Sequence, residues 1–249
     1  MKKEKKQYSF IETDQKSFLL ALCIILPFFF LGGKLISLFA YGLLGVEQTL
    51  MNRVWLNIIN DLIGLGLVVF LLRDFLKKTF LDLKTEDAVT TLKTVGRGLL
   101  ATYGYRMLAM LLIVIIAMII GYDMEALSSA NQSTIEDAFK ENYVLIIILA
   151  VVTGPMIEEV VFRYLIFSCL RKVNAAVAVI GSSFIFGSLH MISELFGGEI
   201  LTGLLMTMVY MALGMALAVL YERRRNLFLC MAVHGLSNAI ALFAIFMTS

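Results

Sequence analysis

The chain has 249 residues, of which 60% are hydrophobic and only 16% charged, with a formal net charge of +2. A soluble domain of this size is nearer half apolar and a quarter charged. The composition therefore excludes an ordinary water-soluble globule. Apolar runs recur along the whole sequence, each close to the roughly 20 residues that a bilayer-crossing helix requires. These runs predict one all-α, polytopic membrane domain over residues 1–249, with the lipid bilayer as its solvent and no nucleic-acid partner.

Near the N-terminus, Lys2, Lys3, Lys5 and Lys6 precede the first apolar run, which lacks a short core ending in a small-x-small site. The run reads as a retained signal-anchor helix. The first span is expected over 17–44, with a kink at Gly32, Gly33 and Lys34, and the second over 54–72. Residues 73–97 carry Lys77, Lys78, Lys84 and Lys93 among Phe75, Leu76, Phe80 and Leu83. That mixture suits a helix lying in the membrane interface. The third span covers 98–120, followed by a polar loop over 121–142. Spans four to seven are expected over 143–170, 175–192, 200–221 and 227–247. The chain thus divides into N-terminal spans and a loop, 17–142, and a core of four helices, 143–249.

Basic residues orient the spans. With the N-terminus inside, the inner segments hold the N-terminal lysines, the 73–97 stretch, Arg171 with Lys172, and the triplet Arg223, Arg224 and Arg225. The outer segments hold only Arg53 and Lys140, beside acids such as Asp123, Glu125, Glu136, Glu194 and Glu199. The excess of Lys and Arg on cytoplasmic loops predicts about seven spans, N-in and C-out. The short loops and basic N-terminus suit a bacterial plasma membrane. Cys23, Cys169 and Cys230 lie in apolar runs without metal-site spacing and read as reduced, buried small hydrophobes.

Ionisable groups inside spans are costly and mark function. Glu158, Glu159 and Arg163 lie in the fourth span, His190 in the fifth, and His234 with Asn238 in the seventh. The two histidines are the only ones in the chain. Glu158 is about 15 residues into its span, roughly 22 Å at 1.5 Å per residue, near mid-membrane. Adjacent residues project about 100° apart, so the two glutamates face different partners. Arg163 is spaced to pair with Glu159 one turn earlier, which leaves Glu158 to face a cavity. Pro155, after Gly154, removes a helical hydrogen bond just before the pair. His234 and Asn238 share one stripe of the last helix, as Phe186 and His190 share one of the fifth. Lys34 and Arg106 read as structural or snorkelling residues, and Tyr210 and Gly214 as packing or lining in the sixth span. One geometric tension is visible. His190 lies roughly 24 Å into its span from the inner side and His234 roughly 12 Å, yet both must reach Glu158.

Glu158-Glu159-Val160-Val161-Phe162-Arg163 is an EExxxR sequence, Phe186-Gly187-Ser188-Leu189-His190 is FxxxH, and His234-Gly235-Leu236-Ser237-Asn238 is HxxxN. In this order, in membrane spans, they resemble the CAAX-protease and bacteriocin-processing family of intramembrane proteases, also called the Abi family. The resemblance covers spans four to seven. It implies an intramembrane endopeptidase acting on a hydrophobic or membrane-anchored peptide or protein. In that family the position of Glu158 is the base that activates water, and that of His190 helps to hold the water. Glu159 would be a second essential carboxylate with Arg163 as its partner. His234 and Asn238 would stabilise the oxyanion, and Phe186 would shape the pocket. A carboxylate in a low-dielectric cavity is a stronger base toward water than an exposed one. A prepositioned oxyanion donor contributes on the order of 3–4 kcal/mol.

Three alternatives stand beside this reading. Glu158, His190 and His234 could form a zinc site with an open position, although no HExxH sequence is present; the resemblance favours a site with no cofactor. The same fold could serve as a non-catalytic scaffold or a bacteriocin-immunity protein. A transporter or receptor would be expected to show an internal repeat, and none is evident.

Overall fold

The computed structural model describes residues 15–123, 127 and 130–248. The N-terminal lysines Lys2, Lys3, Lys5 and Lys6, and Glu125, lie outside the described residues. Everything described is helix or connecting loop, in an all-α fold suited to multiple membrane crossings. We label the helices α1 (Gln15–Ser37), α2 (Leu50–Lys84), α3 (Ala88–Ile120) and α4 (Ala130–Glu141), then α5 (Tyr143–Arg171), α6 (Ala175–His190), α7 (Ile192–Gly197), α8 (Ile200–Arg224) and α9 (Leu227–Thr248).

Among the described residues, six helices are long and apolar enough to cross a membrane: α1 with its extension to Leu43, α2, α3, α5, α8 and α9. The fifth expected span, α6, is apolar but has only 16 residues. It ends at His190, and a separate short helix, α7, follows.

The 73–97 stretch is not one interfacial helix. Residues 73–84 continue α2 past a break at Leu72 (φ −120°, ψ 15°), and 88–97 open α3. Asp87 separates the two by capping α3, its carboxylate accepting from Thr90 N–H at 2.9 Å. Such caps satisfy amide groups that a helix start leaves unpaired. Asn142 caps α5, Asn174 caps α6 and Asn226 caps α9 in the same way. The 121–142 loop also contains a helix, α4. In the first span, α1 runs unbroken through Gly32 and Lys34 and widens instead at Leu38–Leu43. Of the three cysteines only Cys230 is buried; Cys23 is exposed on α1 and Cys169 is partly covered. An apolar exterior is the natural environment for such a side chain in lipid.

The core lies between α5, α6, α8 and α9, with Val160, Val161, Leu165, Phe167, Phe186 and Leu217 at its centre. Small residues bring α6 and α8 together: a Cβ on Gly187 would lie 2.6 Å from the Thr207 carbonyl oxygen. Close approach of this kind is how helices associate where lipid provides no hydrophobic drive. One end of the bundle is tied by charge. Arg171 holds Glu222 at 3.0 Å, Arg225 pairs with the same carboxylate, and Arg224 joins Glu86 and the Thr94 hydroxyl. Asn226 adds a hydrogen bond to the Thr79 carbonyl at 2.9 Å.

Candidate active site

The site is built around an irregular α5. Two of its segments, Ile148–Thr153 and Val160–Ile166, are π-helical and flank Gly154–Glu159. In the first wide turn Gly154 N–H reaches the carbonyl of Leu149, five residues back. Continuing that ladder would send Pro155 N–H to Ala150, but proline has none. Asn238 on α9 supplies the missing donor, its Nδ2 lying 2.8 Å from the Ala150 oxygen. The neighbouring Val151 carbonyl lies against Gly235, where a Cβ would be only 2.5 Å from the oxygen. Single π-type turns inside helices recur at functional sites. Here they set the angular position of the glutamate pair.

Glu159 is completely buried and fully engaged. One carboxylate oxygen accepts from Arg163 Nε at 2.9 Å, and the other accepts from His234 Nδ1 at 2.9 Å. Arg163 is also fully buried, with its guanidinium 5.6 Å from the Phe186 ring centre. A buried ion pair of this sort fixes geometry more than it adds stability. Glu158 differs: its side chain is 22% exposed, and its oxygen stands 3.7 Å from His234 Nε2. The pair thus divides into an anchored carboxylate and an accessible one.

His190 Nδ1 lies 2.9 Å from the Phe186 carbonyl. A carbonyl only accepts, so Nδ1 carries the proton, and in the neutral ring Nε2 keeps its lone pair. By the same logic His234 Nδ1 donates to Glu159. Phe186, fully buried, lies between the two imidazoles, with ring centres 4.4 Å from His190 and 5.7 Å from His234. The two histidines therefore meet around one ring despite their different depths along their helices, and α6 starts at Ala175. Tyr210 stacks on the other side of His190 at 4.6 Å.

All seven residues singled out in the three motifs, Glu158, Glu159, Arg163, Phe186, His190, His234 and Asn238, are brought into one neighbourhood. Among the described residues, no group of three or more His, Cys, Asp or Glu side chains is arranged to hold a metal ion. A broad cleft of about 760 Å³ between α1 and α2, lined in part by Lys34, Tyr41, Asn57 and Asn60, contains none of the motif residues.

Sequence reasoning missed Asp61 on α2. Its carboxylate accepts from the Thr153 hydroxyl at 2.9 Å, at the end of the first wide turn, and it lies within electrostatic reach of Glu158. An acid in the middle of the second apolar run was the available signal.

Fold and site together define a polytopic helical membrane protein with a buried Glu–Arg–His network behind an accessible glutamate. Residues 140–240, which contain all three motifs, match the type II CAAX prenyl endopeptidase Rce1-like family. The resemblance read from the motifs holds over this segment. The chain is also 32% identical over 111 residues to a Bacillus subtilis (strain 168) protein described as "Putative membrane peptidase YdiL". That alignment covers 44% of this chain and 41% of the relative, so the match spans less than half of the relative's length. No solved structure matches the chain.

Proposed function

We propose that the protein is a membrane-embedded endopeptidase that hydrolyses a peptide bond in a hydrophobic or membrane-anchored substrate, in a cell membrane and without a metal cofactor. The observation that carries the reading is the contrast within the glutamate pair: Glu159 is held by Arg163 and His234, whereas Glu158 is left accessible beside His234. The family match and the similarity to a protein described as a membrane peptidase support the same reading.

In this mechanism Glu158 takes a proton from a water molecule held between its carboxylate and His190 Nε2. The water oxygen attacks the scissile carbonyl carbon. The resulting oxyanion accepts from the second N–H of Asn238 Nδ2, the first being used by Ala150, and from His234 Nε2. Donation from that nitrogen requires the doubly protonated ring, because Nδ1 is held by Glu159. Glu158 then passes its proton to the leaving amine, and the C–N bond breaks. A donor placed at the oxyanion position contributes on the order of 3–4 kcal/mol in a water-poor site.

The test is peptide cleavage by the purified, detergent-solubilised protein, comparing wild type with Glu158→Gln and His190→Ala, each with and without a strong zinc chelator. Loss in both variants with no chelator effect is expected. Loss on chelation reversed by zinc would replace the mechanism with a metal-dependent one. Equal cleavage by all three forms would remove the catalytic assignment and leave a scaffold.

A further inference from the structure

We propose that Arg106 forms an anion subsite of the catalytic cavity and takes a carboxylate of the bound peptide, either its C-terminus or an Asp or Glu side chain; this rests on the peptidase reading above. Arg106 lies 18 residues after the first residue of α3, Ala88, roughly 27 Å along the helix. Arg97, at the basic end, is about nine residues away, and the opposite end of α3 is about 14 residues away. These are roughly 13 and 21 Å of helix rise, too far for the side chain to snorkel comfortably to either surface. Guanidinium does not lose its proton in proteins, and a charge at this depth requires a counter-ion or a polar cavity.

The described residues supply no counter-ion. Among the described residues Arg106 has no ion pair or hydrogen bond, and its Nε is buried without a partner. Other arginines of the bundle are treated differently. Arg163 holds Glu159, Arg171 and Arg225 hold Glu222, and Arg224 holds Glu86. Among the described residues Arg106 thus keeps a buried guanidinium nitrogen with no carboxylate beside it, an arrangement that can take an anionic ligand.

Helix register puts that ligand at the active site. Thr94 on α3 meets Arg224 on α8, and Gly98 packs against Leu220 and Val233. Further along, the Tyr103 hydroxyl lies 3.4 Å from the Ser237 carbonyl oxygen on α9, one residue before Asn238. One turn beyond, Arg106 reaches the neighbourhood of Tyr103 and Tyr210, and Tyr210 is the ring stacked on His190. Tyr210 is therefore a neighbour common to Arg106 and His190. Lipid phosphate lies roughly 15 Å from the membrane midplane, which disfavours it at this depth. A peptide entering the cavity carries its own anion, and guanidinium binds carboxylate bidentately.

The test is binding to the full chain carrying Glu158→Gln, so that turnover plays no part, in nanodiscs of neutral phosphatidylcholine. The probes are a labelled Leu/Ala decapeptide as free acid, as C-terminal amide, and as an amide containing one Glu. The acid should bind about ten- to a hundredfold tighter than the plain amide, as a charged hydrogen bond predicts. Tight binding by the Glu-containing amide alone would assign the subsite to a side-chain carboxylate. Arg106→Gln should erase the preference, and Arg106→Lys should keep part of it. Three results would overturn the subsite: equal binding of all three probes, equal weakening of all three by Arg106→Gln, or a preference that appears only with anionic phosphatidylglycerol. If the preference holds while wild type cleaves nothing, the peptidase reading fails and the anion subsite stands.

Discussion

Asn238 on α9 donates to the carbonyl of Ala150 on α5 at 2.8 Å, the oxygen that Pro155 would satisfy if proline had an N–H. A side chain from another helix thereby completes the backbone ladder at Ala150, ahead of the glutamate pair that begins at Glu158. Asn238→Ala and Asn238→Asp should both leave that carbonyl without a donor. The expected cost is about 1–3 kcal/mol, read as a lower thermal midpoint in detergent, with cleavage falling in parallel. An unchanged midpoint in both variants would mean that the bond contributes nothing to the α5 conformation.

Gly235 lies against the next carbonyl, that of Val151, with no room for a methyl group. Gly235→Ala should push α5 and α9 apart and destabilise by about 1–3 kcal/mol, the usual cost of overpacking. The thermal midpoint checks this. Wild-type stability in the variant would show that the helices absorb the clash without moving the site.

The two adjacent glutamates should respond oppositely to the same exchange. Glu159→Gln leaves the fully buried Arg163 without its carboxylate, and breaking a buried pair costs about 3–5 kcal/mol. Glu158→Gln alters a partly exposed side chain whose ion-pair contact to His234 is 3.7 Å long, so folding should be nearly unaffected while cleavage is lost. Expression yield and thermal melting separate the two. Equal destabilisation would contradict the division into anchored and reactive carboxylates.

Asp61 offers a test outside the motifs. Asp61→Asn keeps an acceptor for the Thr153 hydroxyl, whereas Asp61→Ala removes it. The alanine variant should lose about 1 kcal/mol relative to the asparagine variant, the net worth of one hydrogen bond. Indistinguishable melting of the two would dismiss the Thr153 contact as incidental.

Much of this protein could be read from one dimension. The apolar runs are long because lipid offers no partners for backbone groups, so each crossing must be a helix that pairs its own. The starts of α5, α6 and α9 were legible at 143, 175 and 227, where the apolar runs begin, whereas the start of α3 after Asp87 was not. The pairing of Arg163 with Glu159 follows from a spacing of four residues, and the clustering of the motifs from the cost of charge in a membrane. Other features depended on contacts between distant parts of the chain. Residues 73–97 read as one interfacial helix because their charges do not reveal that α2 bends at Leu72 and continues beside Asn226, or that α3 begins at Ala88. Asp61 reads as an isolated acid until α2 is placed beside Thr153. Arg106 reads as a snorkelling residue until the register of α3 against α8 and α9 sets it near Tyr210. Periodicity and local polarity act within a few turns of one helix. Spacing within α5 already pairs Arg163 with Glu159; the second hold on that carboxylate, from His234 on α9, is decided between helices.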